Sequence, residues 1–160
     1  RLQSESETLG KSTEKLAWIL FRLLASFCGV FGFSVMFNSP VRLAAVAAGI
    51  GAVANTLRLE LVDLTACPPA AAAFMGALAA GLLASLIKSR VGYPRISVTV
   101  PSIVIMVPGL YLYRGFYNLG MMSLSASASW FASAILIVAA LPLGLIFARI
   151  LTDKTFRYCT

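Results

Sequence analysis

The sequence predicts an all-α membrane protein, a polytopic bundle of about five transmembrane helices whose fourth is broken by prolines. Three observations carry that prediction. Hydrophobic residues make up 59% of the 160 and charged residues only 12%, where soluble domains carry about a quarter charged. The apolar residues fall into runs close to the roughly 20 residues that cross the hydrocarbon layer as a helix. One run, ISVTVPSIVIMVPGLYLYR at 96–114, holds Pro101 in its middle and a Pro108-Gly109 pair before an aromatic and cationic end. Proline removes a backbone donor and crowds the preceding turn, so each site is an expected break in the helix. Freed carbonyls at membrane depth need protein or a watery cavity to satisfy them, and transporters hold cargo in such places.

The elements follow in order. Residues 1–15 are polar, with Glu5, Glu7 and Glu14 among Ser and Thr, and read as a tail or linker, cut from something longer, and as neither a signal nor a transit peptide. The first span, 16–37, opens with Trp18 at interfacial depth and contains Arg22, near enough to one end to snorkel. Asn38-Ser39-Pro40 ends it, with Asn38 as a turn residue. A second run, 41–57, is short and rich in small residues, so it should be buried among neighbours; the charged connection Arg58, Glu60 and Asp63 follows. The third span, 68–87, begins at Pro68-Pro69, where a missing amide hydrogen does least harm. Its small residues form two stripes at a spacing of four, Ala72, Gly76, Ala80, Ala84 and Ala73, Ala77, Gly81, Ser85, a surface for close helix packing. After the basic connection Lys88, Arg90 and Arg95 comes the broken span. Residues 115–129 are neither strongly apolar nor charged and fit a loop, a re-entrant turn or a cavity-lining helix. The last span, 130–151, contains Pro142 and leads into a basic tail at 152–160. Residues 16–151 thus form one transmembrane domain, with no room for a second.

The net charge of +7 comes from basic residues placed mostly between apolar runs, which fits topology better than nucleic-acid binding. Counting Lys and Arg on alternate sides places Arg42, Lys88, Arg90, Arg95, Arg149, Lys154 and Arg157 on one side, and Arg1, Lys11, Lys15, Arg58 and Arg114 on the other. The first side is the expected cytoplasmic one, with the N-terminus outside and the C-terminus inside. Cys28, Cys67 and Cys159 show no CxxC spacing and the chain has no histidine, which argues against a zinc site and a histidine base. No HExxH, GxSxG, P-loop or GxGxxG motif occurs, so the expectation is no enzyme and no cofactor.

GFSVMFNSPVR at 32–42, the small-residue span after it, and VPSIVIMVPGLYLYRG at 100–115 resemble the C-terminal five-span half of the threonine/serine exporter family. The resemblance covers roughly residues 16–151, in order and without large gaps. In that family this half is fused to an N-terminal partner half or exists as a separate small subunit, as in two-subunit bacterial systems associated with succinate export. The resemblance implies gradient-driven export of a small carboxylate-bearing metabolite, an amino acid or a dicarboxylate, across the plasma (inner) membrane. It also implies a partner half or partner subunit; a homo-oligomer is a further expected state. An odd number of spans would make a related half inverted, as in many secondary transporters. The rival reading is a structural or regulatory membrane subunit without its own path.

The candidate path residues are Pro101, Ser102, Pro108, Gly109, Tyr111, Arg114, Tyr117, Asn118 and Asn55. Arg114 after Tyr111 and Tyr113 reads either as a guanidinium for a carboxylate or as an interfacial anchor. The prolines and Gly109 expose half-helix ends to cargo or simply kink a helix, and Ser102 is the nearest hydroxyl. Tyr117 and Asn118 offer neutral polar groups, although Asn also closes turns. Asn55, within a span, must find a partner and reads as an interhelical hydrogen bond before a cargo contact. None of the six acidic residues lies inside a proposed span, so a coupling carboxylate is expected from the partner half.

Overall fold

A computed structural model describes residues 2–92 and 94–153, with side chains described at 10–87, 92 and 94–153. Among the described residues six helices follow one another: α1 Leu2–Met36, α2 Val41–Thr65, α3 Pro69–Val91, α4 Arg95–Val104, α5 Gly109–Gly120 and α6 Leu124–Thr152. Stretches of α1, α2, α3 and α6 are long and apolar enough to cross a membrane, and α4 with α5 makes a fifth candidate bent by 42°. The all-helical class and the broken fourth crossing are as the sequence predicts.

Contacts along the helices fix their directions. Val30 of α1 lies against Gly51 of α2, Ser26 meets Asn55, and Arg22 meets Glu60 and Asp63, so α1 and α2 run antiparallel. Ser102 of α4 touches Ala47 and Gly51 while Met106 touches Arg58, so α4 runs parallel to α2. Arg95, at the start of α4, donates to Thr152 in the last turn of α6. Gly115, midway along α5, packs on Phe131 and accepts from Ser127 near the start of α6. The bent pair therefore spans about 21 residues of α6 or more, roughly 30 Å at 1.5 Å per residue, which matches the hydrocarbon thickness. Such a pair is a broken crossing, because a re-entrant loop would return to the face it left.

The core is built from small residues. In α3, Ala72, Ala73, Ala77 and Ala80 are fully buried, and both glycines of its stripes are too. Gly81 packs on Ala148 of α6, and Gly144 of α6 lies where an added Cβ would sit 2.6 Å from the Phe74 carbonyl. This approach of backbones is what the four-residue spacing allows.

Several boundaries differ from the expected ones. Helix α1 begins at Leu2 in place of residue 16, so the polar stretch continues the first span as helix. Helix α2 continues through Arg58, Glu60 and Asp63 to Thr65, because Arg22 of α1 neutralises both acids at 2.8 and 2.6 Å and keeps them against the bundle. The undecided 115–129 stretch divides between the end of α5, a turn, and the first turns of α6. Pro101 does not break its helix; it lies buried inside α4. A single proline costs one backbone bond, here to the carbonyl of Ser97, and neighbouring helices hold the remainder of the turn. Asn38 takes a positive φ of 56° at the end of α1, a left-handed conformation that Asn adopts more readily than most residues. The basic tail with Lys154 and Arg157, the side chains of Lys88 and Arg90, and Arg1 and Cys159 lie outside the described residues.

Candidate functional site

The break lies at 105–108, where the α-helical ladder of α4 gives way to tighter bonds. Met106 N donates to Ile103 O at 2.9 Å and Val107 N to Val104 O at 3.1 Å, both one residue short of the α-helical spacing. Pro108 has no N–H with which to resume the ladder, and α5 restarts when Leu112 N donates to Pro108 O. The Met106 carbonyl is thereby released from the ladder. Its partner is Arg58 of α2, whose Nη1 donates to it at 3.1 Å.

Arg58 is partly buried between helices, and its Nε has no hydrogen-bond partner. Gly76 of α3 makes room for it. A Cβ on Gly76 would sit 3.1 Å from Arg58 Cβ and 3.3 Å from Met106 Sδ. Tyr111, in the first turn of α5, is half-buried against the core that holds Met106 and packs its ring against Trp130 of α6 at 5.6 Å. One cation from α2 and one released carbonyl thus meet at the break, with Gly76 of α3 behind them and Tyr111 in the turn that follows.

The other sequence-derived candidates scatter around that point. Pro108 is buried at the break, and Gly109 is exposed beside it. Ser102, fully buried, donates within reach of Val98 O at 2.7 Å and Ala47 O at 3.0 Å, and so ties α4 to α2. Pro101 neighbours it. Asn55 donates through Nδ2 to Ser26 Oγ at 2.9 Å, a buried interhelical bond. Arg114 is exposed, with its guanidinium 4.9 Å from the Trp130 ring centroid, the geometry of a cation–π contact at an interface. Tyr117 is exposed and stacks on Tyr113, and Asn118 donates to the Arg114 carbonyl one turn back at 2.7 Å.

Arg58 is the residue that sequence reasoning placed in a connection. The signal for it was the face Ala47, Gly51, Ala54, Arg58, which continues the small-residue spacing of α2 past the expected end. At the opposite end of the bundle, Arg95 donates to Gly81 O at 2.8 Å and lies 3.5 Å from Asp153. It lines, with Thr99, Leu145 and Arg149, a cleft of about 540 Å³ between α4 and α6. That cleft borders the first half of α4, away from the break.

An apolar helical bundle with alternating crossings, one of them fractured beside a charged residue of its neighbour, has the features that polytopic membrane transporters use to hold cargo. Comparison with known families makes the class specific. The profile of the family described as Threonine/Serine exporter, ThrE, matches residues 22–151, and the chain belongs to that family. Its role is in membrane transport. The matched stretch contains the whole site, from Arg58 to Trp130. Neither a curated protein nor a solved structure gives a match.

Proposed function

We propose that this chain is one half of a secondary-active exporter for a small carboxylate-bearing metabolite, threonine or serine or a dicarboxylate such as succinate. It works with a partner half, fused or separate, in the plasma (inner) membrane, with its N-terminus outside and its C-terminus in the cytoplasm. The observation that supports this reading is the fracture at 105–108 with Arg58 turned into it. An amino acid presents a carboxylate and an ammonium group; a guanidinium and a released carbonyl are their natural partners in a site poor in water. Five crossings leave the chain ends on opposite faces, which suits an inverted partner half. The acids within α2, Glu60 and Asp63, are both held by Arg22, so ion coupling through a carboxylate falls to the partner.

The test is flux through the full transporter containing this chain, reconstituted in proteoliposomes with threonine, serine and succinate under imposed ion gradients. Saturable flux of at least one of these, responsive to an opposing gradient and reduced at least about tenfold by Pro108→Ala with assembly intact, is the expected result. Restoring the N–H at 108 lets the ladder close across the fracture. Absence of saturable flux for all three, or a Pro108→Ala variant that affects assembly alone, would leave a structural subunit instead.

A further inference from the structure

We propose that Arg58 is the residue that receives the cargo's carboxylate, and that it exchanges the Met106 carbonyl for it when cargo binds. This rests on the exporter reading above and assigns that reading its binding residue.

Depth comes first. Arg58 lies five residues past the middle of α2, about 8 Å along the axis, and so roughly 7 Å inside a 30 Å hydrocarbon layer centred on that helix. Charge at such depth is costly, and ionisable residues there face a bundle interior or an aqueous path and find partners. Among the described cations of the bundle interior, Arg22 holds Glu60 and Asp63, and Arg95 holds Asp153 with Thr152 and Gly81 O. Arg58 holds only a neutral carbonyl, and no described carboxylate pairs with it. Glu60, two residues on, is turned by the helix toward Arg22. A cation at this depth lacks an anion, and the cargo brings one.

The geometry of the guanidinium points the same way. Its bond to Met106 uses Nη1, which leaves the edge formed by Nε and Nη2. Two parallel N–H donors on one edge are the arrangement that grips a carboxylate with two bonds. Nε is covered and unpartnered in this state, so cargo reaches it only when the fracture shifts. A carboxylate is a stronger acceptor than a peptide carbonyl. Arg58 therefore gives up Met106 in favour of cargo, and the Met106 carbonyl is the point at which α5 is released from α2. Arg114, on the outside of α5 with an indole beneath it, has none of these features.

The experiment uses the reconstituted full transporter and whichever of threonine, serine and succinate it carries. The competing probe is the alcohol with –CH2OH in place of one carboxylate. Wild-type protein is expected to reject that analogue by at least about 30-fold, the usual loss when one member of a buried hydrogen-bonded charge pair is removed. Arg58→Gln is expected to raise KM for the cargo by a similar factor and abolish the rejection, Arg58→Lys to recover part of both, and Arg114→Gln to change KM less than about threefold. A readout on unaltered protein covers the case in which Arg58 variants fail to fold: butanedione adducts at Arg58, counted by peptide mass, should fall when cargo is present and not when the alcohol is.

Wild-type flux with an Arg58→Gln KM equal to wild type, or an Arg58 adduct yield that cargo does not change, overturns this proposal and leaves the exporter reading standing. Rescue of Arg58→Gln by neutralising an intramembrane acid of the partner half would also overturn it, assigning the carboxylate to the partner. Absence of wild-type flux removes the exporter reading itself.

Discussion

The seam between α3 and α6 and the junction between α4 and α5 use small residues and proline to opposite ends. In the seam, Gly81 against Ala148 and Gly144 against the Phe74 carbonyl bring two backbones together with almost nothing between them. Pro142 sits within α6 there and the helix continues through it. At the junction, residues 105–108, ending in Pro108, separate two short helices, and an added Cβ on Gly109, which opens α5, would meet nothing within 4 Å. The glycines make a close frame where neighbours crowd them and an open joint where neighbours are absent, whereas the prolines do not divide by burial: Pro142 is exposed in a continuous helix and Pro108 is buried at the break. A close-packed scaffold beside a jointed crossing is the division of labour that alternating access asks of a transporter.

The largest effect should come from filling the seam. Gly144→Val would drive side-chain atoms into the Phe74 carbonyl and Ala77 Cβ, at 2.6 and 2.8 Å already for a bare Cβ. A loss of about 3 kcal/mol, the upper end for overpacking, is expected, seen as a thermal transition lowered or absent in detergent. Filling the junction with Gly109→Ala should cost less than about 1 kcal/mol by the same measurement. Equal losses at the two glycines would erase the distinction between frame and joint. A smaller effect belongs to the contact that ties α1 to the frame. Asn55→Ala removes the bond to Ser26 and should cost about 0.6 kcal/mol and no more than about 1.7, the mean and the maximum for interhelical hydrogen bonds in membranes; flux should keep its KM. A changed KM would move Asn55 from the frame to the cargo path.

Much of this architecture was legible in the residues. Composition and run length suffice for an all-α membrane bundle, since lipid forces backbone bonds to close within each span. The α3 stripes declared a packing surface because a spacing of four keeps small residues on one arc, and the structure buries both stripe glycines there. Pro108 marked a fracture correctly, whereas Pro101, with the same chemistry, did not fracture its helix. The difference lies in what is tied: Ser102 holds α4 to α2 within the helical ladder around Pro101, whereas beside Pro108 the tie from Arg58 of α2 holds a Met106 carbonyl that has already left the ladder. Arg58 was the least visible. Its charge, followed by Glu60 and Asp63, imitates a solvent-exposed connection, and only Arg22, far along the sequence, shows that those acids are satisfied inside a continuing helix. Long-range ion pairs of this kind leave no local periodicity to read.

The measurement closest to the central claim, that the fracture borders water, compares two equally exposed valines. Val107 at the break and Val138 in mid-α6 show 50% and 51% of their surface, so packing alone gives them the same access. In a transporter whose three cysteines, Cys28, Cys67 and Cys159, are replaced by serine, Val107→Cys and Val138→Cys are each exposed to a charged, membrane-impermeant thiol reagent, which needs a hydrated thiolate to react. The account predicts that Val107→Cys is modified, and more slowly when cargo is present, while Val138→Cys stays unmodified in lipid. A Val107→Cys as inert as Val138→Cys would contradict it.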